Sequence, residues 1–396
     1  MQHLPTARAE PTQPAAGIWK RMRLWGIAHA VDDLYQGLVP AALPYFVLDR
    51  GYSYLAASGL TLAATLGSSL PQPIFGLAVD RFRLGWLPAG GIAVAGIGLG
   101  LSGLVTGYPA VWTLILLSGL GVAMFHPAAG KAAREAAGES TSGMSIFAAG
   151  GSVGFFLAPV LATPALMAWG VGATALFMPP AVLMAFLLLR NRRRHSEMIA
   201  DAPPRAGADR WGPFAVLTAV EVVRSVMFFG INTFIALYWI GYLNGSKVMA
   251  GVALACFLVG GVSGTLLGGR IADRIGSVRT VQLGGAVAIP LLLAFRMTSG
   301  TVAPLIFAVL VGVAVNIPFA VLVKLGQDYL PTRPGTAAGV TLGLGVSIGG
   351  LSAPVLGAIA DHYGTQAVFT ALCVVPPLVL LLGLLLPEPR IERATA

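Results

Sequence analysis

Apolar runs of about 20 residues recur along this chain, each long enough to cross a hydrocarbon layer roughly 30 Å thick as a helix. No other feature narrows the fold so far, because a backbone in lipid must satisfy its own N–H and C=O groups, and only helices and closed barrels do so. Twelve runs are predicted as spans 1 to 12, over residues 24–48, 55–79, 84–106, 109–130, 142–166, 168–189, 212–240, 247–269, 278–297, 301–323, 335–360 and 365–386. Composition agrees. Only 10% of the 396 residues are charged, against about 25% in a soluble domain, and the mean hydropathy is +0.80. An all-α membrane protein of 12 transmembrane helices is expected. Span 1 lacks the cleavage pattern of a signal peptide and reads as a retained helix.

Basic residues set the orientation. Lys20, Arg21 and Arg23 precede span 1, Arg81 and Arg83 follow span 2, Lys131 and Arg134 follow span 4, and "RNRRRH" (Arg190 to His195) follows span 6. Arg270, Arg274 and Arg279 lie between spans 8 and 9, Lys324 and Arg333 between 10 and 11, and Arg390 and Arg393 after span 12. The alternate loops hold Arg50, Lys247 and Arg296. By the positive-inside rule both termini and the loop from Asn191 to Arg210 face the cytoplasm. The net charge of +9 then needs no nucleic-acid partner. Cys256 and Cys373 sit within spans 8 and 12 in no metal or redox spacing, and read as buried apolar fillers.

The polar stretch from Arg190 to Arg210 divides the spans six and six, and a shift of about 190 residues lays one half on the other. "GLAVDRF" (Gly76 to Phe82) falls on "GRIADRIG" (Gly269 to Gly276), "GVAMFHP" (Gly121 to Pro127) on "GVAVNIP" (Gly312 to Pro318), and "GSVGFFLAPVLA" (Gly151 to Ala162) on "VSIGGLSAPVLGAIA" (Val346 to Ala360). Parallel six-helix halves related by an axis along the membrane normal are the architecture of the major facilitator transporters. The chain resembles that superfamily over nearly its whole length. The division expected is an N-terminal disordered or interfacial segment (1–23), a six-helix bundle (24–190), a cytoplasmic linker (191–211), a second bundle (212–387) and a cytoplasmic tail (388–396).

Within that superfamily "HAVDD" (His29 to Asp33), "SLPQPIFGLAVDRF" (Ser69 to Phe82), "FHPAAGKAAR" (Phe125 to Arg134), "SIFAAGGSVG" (Ser145 to Gly154) and Arg224-Ser225 resemble the fosmidomycin-resistance family of bacterial drug exporters. The resemblance implies a secondary transporter of the bacterial inner membrane, a drug/proton antiporter exporting a small organic molecule by alternating access. Its partners would be substrate, protons and the lipid bilayer, its energy source the proton gradient, with no cofactor and a monomeric state. One departure is plain: the family usually has Asn where this chain has Asp32, so substrate preference and proton stoichiometry do not transfer.

The intramembrane charges carry the chemistry. Each costs roughly 2.5–3.5 kcal/mol at the bilayer centre, so Asp32, Asp33, Glu221 and Arg224 need a partner, a proton or a water-filled cavity. His29, Asp32, Asp33 and Gln36 share one face of span 1 at helical spacing, and that face is expected to point inward. A shift of 192 residues places His29 over Glu221 and Asp32 over Arg224, so span 7 offers a second stripe of Glu221, Arg224, Ser225 and Asn232. Asp33 is the first choice to bind and release the coupling proton, with Asp32 modulating it and His29 as hydrogen-bond partner or relay. Glu221 is the second choice, since Arg224 one turn away can hold it ionised. Arg224 alternatively receives an anionic group of the substrate, a role its planar donor fork suits. The same charges have a purely structural reading as pairs that fix the packing of the two halves.

Other polar residues are assigned by position. Gly76, Asp80, Arg81, Gly269, Asp273 and Arg274 form paired loop motifs at the repeat spacing and read as a cytoplasmic gate, the glycines allowing close helix approach. His126 and Arg134, with Lys131, lie at the cytoplasmic mouth, pairing with Asp80 and Glu135 or guiding an anion. Gln72, Tyr238, Asn316 and Gln327 are expected as cavity lining. An enzyme is not expected: no third acid follows Asp33 to hold a metal diphosphate, His29, His126 and His362 form no i, i+4 ligand pair, and no phosphate-binding loop of the G-x-x-x-x-G-K-S/T type occurs. No metal is expected either. The competing transport reading is uptake or facilitated diffusion of an organic anion, by symport or uniport.

Overall fold

The computed structural model describes residues 15–82, 84–137, 141–191, 208–333, 336–337, 340–341 and 345–388, and all regular structure among them is helical. Expectations for residues 1–14, 192–207 and 389–396 fall outside the described residues. In the first half, span 1 is α1 (Ala15–Arg50), and span 2 is split into α2 (Tyr54–Ser69) and α3 (Gln72–Phe82). Span 3 is α4 (Leu87–Ser102), span 4 is α5 (Tyr108–Ala137), and span 5 is α6 (Thr141–Trp169). Span 6 opens as a 3-10 turn over Gly170–Phe177 and continues as α7 (Met178–Asn191).

In the second half, spans 7, 8 and 9 are α8 (Trp211–Gly241), α9 (Lys247–Ile275) and α10 (Ser277–Met297). Span 10 is split into α11 (Val302–Asn316) and α12 (Phe319–Tyr329), span 11 is α13 (Gly345–Tyr363), and span 12 is α14 (Thr365–Leu372) and α15 (Val375–Leu384). The breaks have a common cause. Pro71 and Pro73, Pro318, and Pro376 with Pro377 stand at them, and proline removes a ladder N–H and clashes with the preceding turn. Gln72 Nε2 fills part of the first gap by donating to the Ser68 carbonyl at 2.7 Å.

Among the described residues eight helical stretches are long and apolar enough to cross a membrane. Spans 1, 3 and 11 fall outside that set for reasons visible in their residues: His29, Asp32, Asp33 and Gln36 dilute α1, α4 has 16 residues, and α13, which begins only at Gly345, carries Asp361 and His362 in its last turn.

Each half packs on itself first. α1 lies along α6, and α5 lies between α2 and α4. In the second half α9 packs on α11, and α8 on α13 and α15. The α1 and α6 seam is lined by small residues, with Gly26 against Gly150 and Gly154 against Ala30, so the two backbones come close. The halves meet where α2 crosses α13, α6 crosses α9 and α1 crosses α8. Large apolar side chains such as Leu161, Leu183, Phe186, Leu351 and Leu384 are exposed on the outer surface, as helices facing lipid require.

The polar contacts joining the halves gather toward the end opposite the basic loops. Asp361, at the end of α13, accepts from the Tyr54 and Leu55 backbone N–H groups at 2.7 and 2.9 Å. Ser53 Oγ accepts from Ala56 N at 3.1 Å and the Ser53 carbonyl from Ala57 N at 2.9 Å. The free N–H groups of Tyr54, Leu55 and Ala56 in the first turn of α2 are thus satisfied, two of them by the other half of the molecule, and Ala57 begins the regular helix ladder. Lys247 Nζ meets Asp49 Oδ1 at 2.8 Å beside this contact, and Thr233 Oγ1 donates to Thr61 Oγ1 at 3.4 Å deeper in. Arg50 and Arg296 stay within their halves, on the Gly103 and Val105 carbonyls and on Thr370. At the basic end α3 packs on α5, and α12 on α8, α9 and α10, each inside its own half.

Candidate functional site

The polar face of α1 meets α5 and α6 inside the first half. His29 Nε2 lies 3.3 Å from Asp33 Oδ2, one turn along the helix. His126 comes in from α5, its Nε2 3.3 Å from Asp33 Oδ1 and its Nδ1 3.4 Å from Asp32 Oδ2. Gln36 Nε2 donates to Asp33 Oδ1 at 3.0 Å. Four ionisable side chains therefore share one buried cluster. The Asp33 carboxylate stands at its centre between two imidazoles.

Backbone carbonyls orient both rings. His29 Nδ1 is 2.8 Å from the Phe147 carbonyl on α6, and the ring stacks on Phe147 at a centroid distance of 4.2 Å. His126 Nδ1 is 3.0 Å from the Val122 carbonyl one turn back on its own helix. A carbonyl only accepts, so Nδ1 of each ring carries hydrogen and Nε2 is turned to Asp33. Gly151 on α6 makes the room: a Cβ there would fall on Asp33 Oδ2 and come within 2.7 Å of His29 Nε2.

The cluster is graded from sealed to accessible. The Asp32 side chain is wholly buried, those of Asp33 and His29 are about one-tenth exposed, and that of His126 is one-quarter exposed. Among the described residues neither Asp32 oxygen has a hydrogen-bond donor. A carboxylate in that position is tolerable only with its own proton or beside a cation, and among the described residues the ionisable ring that faces it is His126, at 3.4 Å.

The second stripe is built differently. Arg224 Nε and Nη2 donate to Glu221 Oε2 and Oε1 at 2.9 and 2.6 Å, a two-pronged fork. Nη1 reaches toward the Val315 carbonyl at 3.5 Å, and the guanidinium lies over the Phe319 ring at 4.9 Å. Both side chains are 3% exposed or less. The guanidinium expected to face a substrate is engaged by its own helix and by α11 and α12. Asn232 is buried nearby on α8 with Oδ1 unpartnered.

Several expected site residues stand elsewhere. His126, expected with Arg134 at the mouth, lies against Asp32 and Asp33, because it leaves α5 about three turns before the helix ends at Ala137. Tyr238 does not line a cavity: it is fully buried among Tyr242, Phe295 and Phe369, since the apolar ring outweighs the hydroxyl in placing it. Asn316 is buried and back-bonds to the Gly312 carbonyl at 3.0 Å, and Gln72 serves the helix break. Gln327 is half-buried on α12. At the expected gate Arg81, Asp273 and Arg274 are exposed, and among the described residues none of the three makes an ion pair. Gly76 lies 3.9 Å from the Pro127 side chain as a Cβ would measure it, and Gly269 has open space around it. The Asp80 and Arg134 side chains lie outside the described ones.

Asp49, Lys247 and Asp361 went unassigned from the sequence. Their signal was rarity, as charged residues at helix ends on the side of the membrane that carries little charge.

The chain matches the model of the Major Facilitator Superfamily over residues 26–350 and 217–396. It is 28% identical to the fosmidomycin resistance protein of Escherichia coli (strain K12), over 97% of this chain and 99% of that one. It is 27% identical to the uncharacterized MFS-type transporter YfnC of Bacillus subtilis (strain 168), over 96% of each. Among solved structures it superposes on a bacterial homolog of the human lysosomal transporter Spinster, in an inward-facing and occupied conformation, with a TM-score of 0.79. That match covers 96% and 99% of the two chains at 14% identity. The nucleoside transporter NupG follows at a TM-score of 0.75 and 14% identity, over 93% of this chain and all of that one.

Proposed function

The chain belongs to the Major Facilitator Superfamily, and on that premise we propose that it is a proton-coupled antiporter exporting a small organic molecule by alternating access. The observation that carries the reading is the buried His29, Asp32, Asp33 and His126 cluster. Its charges do not balance without added protons, and His126 opens it to the outside. Asp33 carries the exchanged proton, His126 passes it in and out, His29 holds the other carboxylate oxygen, and Asp32 sets the charge of the whole. The similarity to a fosmidomycin resistance protein points to drug export and supports no narrower substrate.

The positive-inside rule puts the basic loops and both termini in the cytoplasm of a bacterial inner membrane. The contacts of Asp361 with α2 and of Lys247 with Asp49 then close the outer face. The exposed Asp273, Arg274 and Arg81 belong to an inner gate that pairs when the molecule turns outward. Organic-anion uptake leaned on Arg224 as receptor; with its fork committed to Glu221, the arginine lends that reading less weight.

The test is drug susceptibility, fosmidomycin included, in pump-deficient bacteria expressing wild type or Asp33→Asn at matched levels, with and without a protonophore. Wild type protects, and both the substitution and the protonophore remove the protection. Sensitisation by wild type would instead support uptake.

A further inference from the structure

The cluster on α1 and α5 presents a donor set that fits more than protons. We propose that His29, Asp33 and His126 bind one divalent transition-metal ion of the zinc type, with Asp32 as the outer carboxylate that neutralises and orients the site. Both Nδ1 atoms are committed to the Phe147 and Val122 carbonyls, so in neutral imidazoles each Nε2 points a lone pair at an oxygen of Asp33, 3.3 Å away. Lone pairs facing a carboxylate repel, and either a proton on the rings or a metal ion among them relieves the repulsion. Ligand atoms about 2.0–2.1 Å from a tetrahedral zinc ion lie about 3.4 Å apart, close to the 3.3 Å that separates each Nε2 from its own Asp33 oxygen. One ligand atom from each of the three residues lies within 4.8 Å of the others.

The surroundings match what a metal needs. Ligating histidines donate their other N–H to a backbone carbonyl or a carboxylate, which fixes the tautomer and strengthens the ligand. His29 does this to Phe147, and His126 to Val122 with Asp32 Oδ2 beside it at 3.4 Å. Gln36 holds Asp33 Oδ1, and Gly151 keeps the space free of a methyl group. Asp32, wholly buried with both oxygens unpartnered and one of them turned to the His126 ring, supplies the second negative charge. Two carboxylates and two neutral imidazoles together cancel one divalent cation, which removes the main cost of placing it in a membrane interior. Two nitrogens and a carboxylate oxygen favour zinc, cobalt or nickel over magnesium or calcium. The accessible edge of His126 is the way in.

The test reads metal binding and not transport, so failure of the antiport reading leaves it intact and its own failure leaves antiport untouched. Untagged, chelator-treated protein in detergent is titrated with zinc chloride by calorimetry and with cobalt chloride by visible absorption. Wild type takes up one ion per chain and gives the intense bands of tetrahedral cobalt. Asp33→Asn and His126→Ala weaken zinc binding at least a hundredfold, and Asp32→Asn weakens it about ten- to a hundredfold, as outer-carboxylate changes do. His126→Cys retains one ion and adds a thiolate-to-cobalt charge-transfer band, which misfolded protein would not give. Absence of one-to-one binding by wild type overturns the proposal. So does binding that survives Asp33→Asn and His126→Ala, or a His126→Cys variant without the new band.

Discussion

The two buried charge sites, one in each half, occupy positions related by the internal repeat and have opposite chemistry. On α8 a carboxylate and a guanidinium close on each other through two hydrogen bonds, with Phe319 over the cation. On α1 a carboxylate divides itself between two imidazoles while a second carboxylate beside it has no donor. The first site is complete without help from solvent. The second leaves both oxygens of Asp32 without a hydrogen-bond partner among the described residues. A buried charge that is fully paired marks architecture, and one left partly unmatched marks a place where something is exchanged.

Four substitutions break or sharpen this contrast. Glu221→Gln has the largest expected effect on stability, because it strands Arg224 in the interior; removing one partner of a buried pair costs about 3–5 kcal/mol. It is read as a lower midpoint of thermal unfolding in detergent, while Asp32→Asn, which removes the carboxylate that no donor meets among the described residues, holds its midpoint. Equal midpoints for the two variants would dissolve the distinction. Gly151→Ala comes next: its methyl group presses on His29 and Asp33, overpacking costs about 1–3 kcal/mol, and drug protection falls because the imidazole no longer sits on the carboxylate.

Asp361→Ala acts at the junction of the halves and loses two bonds to the start of α2, worth about 0.5–2 kcal/mol by analogy with helix caps. Its readout is faster labelling of a cysteine at Ser58, with Cys256 and Cys373 replaced, by an impermeant maleimide. A shift of about 1.4 kcal/mol would speed labelling tenfold. Lys247→Ala has the smallest effect, about 0.2–1 kcal/mol for a half-exposed pair, and high salt applied to wild type should mimic it.

The helical layout was legible because the apolar runs are long; the breaks within spans 2, 10 and 12 were not anticipated, although proline stands at each. The pairing of Glu221 with Arg224 was legible for the same local reason: three residues apart on a helix puts them in reach. His29, Asp33 and Gln36 followed from helical spacing too. His126 did not, because it lies 93 positions from Asp33 and only the packing of α5 on α1 decides that they meet. Its sequence neighbourhood of basic residues suggested the membrane edge. Tyr238 misled in the opposite direction, since a phenol in an apolar run reads as polar lining until the aromatic rings around it are seen. Asp361 escaped because its partners are backbone groups, which no residue pattern announces.

That last point bears on how freely the chain can change. Asp361 grips α2 through the amides of Tyr54 and Leu55 and ignores their side chains. Mutational drift at position 55 therefore leaves these two bonds intact so long as the helix begins in the same place and no proline enters. Position 54 is held twice, by its amide and by a ring whose hydroxyl lies close to Gly241 of the second half.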